Sequence, residues 1–119
     1  MREILFRGKR ADTGEWIEGD LLQNVDYLKI REQEKDLKHI ARSFVIIPET
    51  AGQYTGLTDK NGKRIFEGDI VRIYGKNYEV QYWLGQFFVG INMPIAYKRF
   101  ECEVIGNVND NPEFMEGEG

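Results

Sequence analysis

Two short acidic patterns are the first candidates for chemistry, Glu18-Gly19-Asp20 and Glu67-Gly68-Asp69. Clustered carboxylates hold divalent ions for phosphodiester cleavage, and a facing pair across a cleft serves glycoside hydrolysis. Asp20, Glu67 and Asp69 are therefore the residues that a small carboxylate-dependent hydrolase or nuclease would use. In both patterns, however, the acids flank a glycine, and a turn carboxylate that accepts from nearby backbone N–H groups accounts for them without a metal. The expectation is that each acid caps its own turn. No Walker A sequence, Gly-x-Ser-x-Gly elbow or His-Glu-x-x-His pair stands in the chain.

The other candidates are sparse. Cys102 is the single cysteine and His39 the single histidine, so neither an intramolecular disulfide nor a structural zinc site staples this chain. Glu101 and Glu103 flank the thiol and raise its pKa rather than activate it, which makes Cys102 a strand residue without chemistry and a Cys102–His39 catalytic pair unsupported. Asp59-Lys60-Asn61-Gly62 has the alternating oxygens of a calcium loop, but Leu57 and Gly68 stand where an EF-hand needs an oxygen ligand and its glutamate. No catalytic, cofactor-binding or metal-ligating residue is assigned, and no cofactor is expected.

Residues 72–100 are more suggestive. They hold Tyr74, Tyr78, Tyr82, Trp83, Phe87, Phe88, Tyr97 and Phe100 among Arg72, Lys76, Lys98 and Arg99, against the single acid Glu79. Rings interleaved with cations on short strands can stack bases and meet phosphates, as in modules that bind single-stranded nucleic acid. The same rings also suit the core of a small β-barrel, and exposed ones suit a protein partner.

These side chains are carried by short strands. Ile4-Leu5-Phe6, Trp16-Ile17, Leu21-Leu22, Phe44-Val45-Ile46-Ile47, Ile65-Phe66, Ile70 to Tyr74, Tyr78 to Trp83, Phe87-Phe88-Val89 and Val104-Ile105 are rich in β-branched and aromatic residues, with Gly, Asn and Asp between them. Tyr78, Val80 and Tyr82 alternate with Glu79 and Gln81, as in a half-buried strand, and Gly85-Gln86 predicts a hairpin into Phe87. An internal echo is visible: 8–14 leads to Glu18-Gly19-Asp20, and 56–62 leads to Glu67-Gly68-Asp69. Both copies read as turn, strand, Glu-Gly-Asp turn, strand, and Asn61-Gly62 has the residues that a type I′ hairpin turn prefers. Residues 29–42 are dense in charges of both signs with few apolar positions, which predicts a charged surface excursion, a loop in preference to a short exposed helix.

Length and charge bound the whole. The chain has 119 residues, 41% hydrophobic and 30% charged, with a net charge of −4, which excludes a disordered chain and a strongly cationic nucleic-acid binder. Six acids and no base in residues 101–119 leave residues 1–100 at a net +2. The resulting expectation is a mainly β, small antiparallel barrel-like or sandwich architecture over 1–112, with an acidic flexible tail at 113–119. A finer division sets an N-terminal subdomain at 1–50 and a barrel-like one, open to an SH3-like form, at 53–110. No apolar window has the length of a signal peptide or membrane span, which predicts a cytoplasmic chain without membrane contact.

Four blocks then invite comparison with a known family: Arg2 to Arg10, Gly14 to Leu21, Gly52 to Val71, and Glu103 to Val108 with Asn111-Pro112-Glu113. Together they resemble the YopX family of bacteriophage and prophage proteins. The resemblance implies a small β protein of a phage or prophage, acting in the host bacterial cytoplasm, and it implies no activity and no functional residue. By analogy with small phage β proteins that bury edge strands between subunits, it also implies a homo-oligomer. The leading expectation is a non-enzymatic accessory protein that contacts itself or a host or phage protein. The alternatives are a single-stranded nucleic-acid module using 72–100 and the hydrolase or nuclease above.

Overall fold

Alternating apolar residues need a partner strand for their backbone and a shared face for their side chains, and the chain meets both needs twice. The computed structural model describes residues 4–33, 41–83, 85–89, 93–95 and 101–116. The chain divides into two compact units, Met1–Gln53 and Tyr54–Gly119.

The first unit is an antiparallel meander of β1 (Phe6–Lys9), β2 (Trp16–Gln23), β3 (Leu28–Arg31) and β4 (Ser43–Ile46). Its register aligns Leu21 with Ile30 and Phe44, and Leu22 with Lys29 and Val45. Successive residues face opposite sides of a strand, so the first of these rows points inward and the second outward. Ile30 and Ile46 are fully buried on the inner side. An Arg10–Ile46 bridge, with Ala11 N–H donating to Val45 O and Ile47 N–H to Lys9 O at 2.9 Å each, curls β4 back to the end of β1. Thr50 seals this junction, its hydroxyl accepting from Lys9 N–H at 2.8 Å and donating to Ile47 O at 2.6 Å.

Two expectations are corrected here. Glu18-Gly19-Asp20 is not a turn but the middle of the continuous strand β2. Gly19 stands there because a Cβ would sit 2.1 Å from the Arg31 carbonyl oxygen, so the glycine permits close approach of β3. The charged excursion is also shorter than 29–42, since Lys29–Arg31 belong to β3. A single apolar residue among charges, Ile30, suffices because the inner face needs only alternate positions. Residues 34–40, with His39, lie outside the described residues.

Strand β5 (Gly52–Thr58) starts in the first unit, where Gly52 and Gln53 pair with β1, and continues into the second, where Tyr54 pairs with Phe66 of β6 (Arg64–Phe66). The second unit then builds a five-stranded antiparallel sheet from β7 (Asp69–Ile73), β8 (Lys76–Trp83), β9 (Gln86–Val89), β10 (Met93–Pro94) and β11 (Cys102–Asn107), in the order β10-β9-β8-β7-β11. Val71, Ile73, Val80, Phe87, Val89, Cys102 and Val104 share one face and pack with Ile65 and Ile95 into the core. The mainly β, antiparallel expectation is thus met. Among the described residues the sheet is open, with β10 and β11 as its edges, and not a closed SH3-like barrel.

The turns differ from their sequence signals. The β5–β6 turn is closed by Gly62 N–H on Asp59 O, and only Gly62 of the Asn61-Gly62 pair has positive φ, so it is not type I′. Positive φ at both central residues occurs instead between β7 and β8, at Tyr74 (50°) and Gly75 (82°). Trp83 pairs with Gln86, which places Gln86 in β9 and moves that reversal one residue toward the N-terminus. The second Glu-Gly-Asp does form a turn, with Gly68 at φ 89°. Past β11, Pro112–Met115 form a 3-10 turn whose Phe114 carbonyl accepts from Asn77 Nδ2 of β8 at 2.9 Å.

Candidate functional site

Of the three candidate carboxylates Asp69 caps its own turn, Asp20 is held by a side chain in mid-strand, and Glu67 lies beside another acid. Asp69 is buried, and its Oδ2 accepts from Phe66 N–H at 2.8 Å across the Glu67-Gly68 turn. Asp20 is half-buried on β2 in the first unit, where its Oδ1 accepts from Gln33 Nε2 at 3.1 Å. Glu67 is half-buried beside Glu79, whose carboxyl is pushed up first by burial and then by the Glu67 charge. Asp20 therefore falls in one unit, and Glu67 and Asp69 in the other. Among the described residues no three His, Cys, Asp or Glu side chains come together.

Sequence reasoning missed the role of Asp59. Its Oδ1 accepts from Asn61 N–H and Lys63 N–H at 2.9 Å each, and its Oδ2 from Val104 N–H at 2.8 Å. Burial pushes this carboxyl up, yet the backbone donors together outweigh it and hold the group below the usual aspartate value. The signal was present in Asp-x-Asn-Gly, a pattern that favours a side-chain-closed turn. Cys102 is fully buried in β11, and burial, aided by the Asp59 charge, pushes its thiol up to about 11. Such a group is inert as a nucleophile at neutral pH.

The rings of 72–100 do not line up on one surface among the described residues. Phe87 is buried in the core and Tyr78 packs against it from the same face. Tyr82 leans on Phe87 with centroids 4.7 Å apart, while Phe88 turns to the opposite side. Tyr74 is 77% exposed but sits at the hairpin tip before β8, far along the strand from Tyr82. The side chain of Trp83, and Tyr97 to Phe100, lie outside the described residues.

The first unit carries the exposed apolar surface. On the outer side of β2, β3 and β4, Leu22 is 42% exposed and Val45 40%, with Lys29 between them in register. Tyr27 and Ile47 continue the same face one row on, and Val25, 98% exposed, projects from the β2–β3 turn that Asn24 N–H closes on Tyr27 O. Phe44-Val45-Ile46-Ile47 foreshadows this, because an uninterrupted apolar run is what a strand covered on both faces carries. Among the described residues only the inner face is covered. The outer face also carries charge by strand, with Glu18 and Asp20 on β2, and Lys29 and Arg31 on β3.

These features define a small β protein of antiparallel sheets whose most distinctive described surface is a sheet face. The YopX family model, described as YopX protein, matches residues 5–116, and the chain belongs to the YopX family. It is similar in fold to protein EF1440 from Enterococcus faecalis, at 23% sequence identity and a TM-score of 0.61, over 98% of this chain and 100% of that one. No curated protein sequence matches the chain significantly. Among the described residues no helix is long and apolar enough to cross a membrane.

Proposed function

We propose that the protein is a non-enzymatic phage or prophage accessory module that works in the bacterial cytoplasm through protein contacts. The contact surface is the outer face of β2, β3 and β4. The observation that carries this reading is the group of Leu22, Val25, Tyr27, Val45 and Ile47, exposed together on one small unit. Single exposed apolar residues are ordinary on soluble proteins, whereas a contiguous set beside ordered charges is the anatomy of a contact surface. The YopX resemblance supports the phage setting. The hydrogen-bonded Asp20 and Asp69 and the scattered rings lend no comparable support to the hydrolase or nucleic-acid alternatives.

The test substitutes the face and reads association. Val45→Glu places a charge on the outer side while leaving the inner row untouched, so circular dichroism and thermal melting should stay near wild type. The complexes formed by the wild-type chain in an extract of its bacterial host, including complexes with itself, should be lost. Complexes unchanged by Val45→Glu and by Leu22→Glu would overturn the assignment. Tight, salt-sensitive binding of a single-stranded oligonucleotide would shift the function to the nucleic-acid alternative.

A further inference from the structure

We propose that Asn61 is a site of spontaneous deamidation, and that its conversion releases the β5–β6 turn from the edge strand β11. The site belongs to the second unit and does not depend on the contact face of the first. Asn61-Gly62 is the one Asn-Gly pair in the chain, and every other asparagine precedes a residue that carries a side chain. Glycine leaves its backbone nitrogen unshielded and torsionally free, the two properties that an attack by this nitrogen on the preceding side chain requires. Both residues are exposed, and Lys60 and Lys63, exposed on either side, favour the anionic nitrogen that makes the attack.

The step balances with water alone. Gly62 N, its proton lost to solvent, attacks Cγ of Asn61; the N–Cγ bond forms, the Cγ–Nδ2 bond breaks, and Nδ2 leaves as ammonia with a proton from solvent. Water then opens the imide at either carbonyl, giving aspartate or isoaspartate, each with one new carboxylate. In the folded chain Gly62 N–H donates to Asp59 O at 3.0 Å and Asn61 Nδ2 to Glu103 Oε2 at 3.3 Å, so both bonds must let go before the atoms meet. The same contacts carry the consequence. The new carboxylate stands where an amide donor met Glu103 of β11, so attraction becomes repulsion. In isoaspartate the chain also runs through the side-chain carbons. A methylene then enters between Asn61 N–H and Lys63 N–H, the donors that fix Asp59 Oδ1 at 2.9 Å each. An Asp59 carboxylate no longer fixed on that side loses its aim at Val104 N–H, 2.8 Å from Oδ2, and Lys60 N–H draws away from Cys102 O. An edge strand stripped of such caps is open to pairing with another chain.

The full chain, kept in native buffer at mildly alkaline pH, should gain one negative charge on ion exchange. Peptide mass mapping, with enzymatic methylation of isoaspartate, should place that charge at residue 61. The rate should rise about tenfold per pH unit, because the attacking amide must first lose a proton. Asn61→Gln keeps an amide at this exposed position but closes its longer ring far more slowly, so it should stay unchanged over the same time. In the aged wild-type chain the Val104 N–H should exchange with deuterium about tenfold faster than in Asn61→Gln kept beside it. A wild-type chain that gains charge no faster than Asn61→Gln would overturn the site. An isoaspartate-bearing chain whose Val104 amide exchanges as slowly as that of Asn61→Gln would overturn the release of the edge.

Discussion

The carboxylate of Asp59 accepts the backbone N–H of Val104 at 2.8 Å across 45 residues of sequence. Val104 lies on β11, an edge of the five-stranded sheet, so its outward N–H has no neighbouring strand to receive it. An uncapped edge is costly when buried and invites pairing with other chains when exposed. The β5–β6 turn removes both liabilities: Asp59 takes the Val104 N–H, and Lys60 N–H donates to Cys102 O at 3.1 Å. Asp59→Ala leaves three backbone donors without their acceptor. It should cost about 3 kcal/mol, the scale of hydrogen bonds to a charged group, read as a lower urea midpoint.

The pH dependence of stability should carry two opposed contributions. Asp59 is held below its ordinary 3.8, so its share is present above that value and is lost as pH falls through the lowered one. Glu79 is pushed above its ordinary 4.5 by burial and by Glu67, so its protonation favours the folded chain. That contribution is full below 4.5 and is lost as pH rises through the raised value. Glu79→Gln should therefore exceed the wild-type chain in stability at neutral pH, with the gap closing in acid. Urea titrations of both chains across that range decide it, and a gap independent of pH would remove Glu79 as its source.

The elements were more legible than the turns. Periodicity marked β8 and the strands of the core because alternate burial leaves its trace in the sequence itself. Dipeptide chemistry was a weaker guide. Asn61-Gly62 has the better type I′ composition, but Asp59 captures two of the turn's N–H groups and selects another geometry, whereas Tyr74-Gly75 adopts the type I′ form under the registry of β7 and β8. The two Glu-Gly-Asp copies diverge for a tertiary reason, the approach of the Arg31 carbonyl to Gly19, which no local pattern encodes. The outer apolar face was readable in Phe44 to Ile47, yet register alone shows that Val45 shares it with Leu22.

Tyr74 makes the β7–β8 turn a site for stabilisation. A bulky residue at φ 50° pays a steric cost that asparagine largely avoids. Tyr74→Asn should raise stability by about 0.5–1 kcal/mol, because Asn-Gly is the preferred type I′ pair. Tyr74→Val should lower it, since a β-branched side chain fits that region worse. Thermal melts of the two variants in parallel measure both signs, and an unchanged or lower melting temperature for Tyr74→Asn would show that the ring's own interactions outweigh its backbone cost.

Gly19 tests the opposite kind of constraint, space rather than torsion. Its φ is not positive, so an alanine has no torsional objection to the strand. The obstacle is the Arg31 carbonyl oxygen, 2.1 Å from the new Cβ, with the Ile30 Cγ2 at 3.1 Å on the same side. Both are held by β3, whose register also fixes the buried position of Ile30, so relief requires the two strands to part. Gly19→Ala should cost about 2 kcal/mol or more, as overpacking against backbone does. Gly14→Ala meets nothing within 4 Å and should show only the penalty of its positive φ, 76°. Because β2 and β3 also form the proposed contact face, Gly19→Ala should weaken partner association along with folding, whereas Gly14→Ala should leave association unchanged. Equal effects of the two substitutions on both readouts would show that β3 yields more readily than its packing implies.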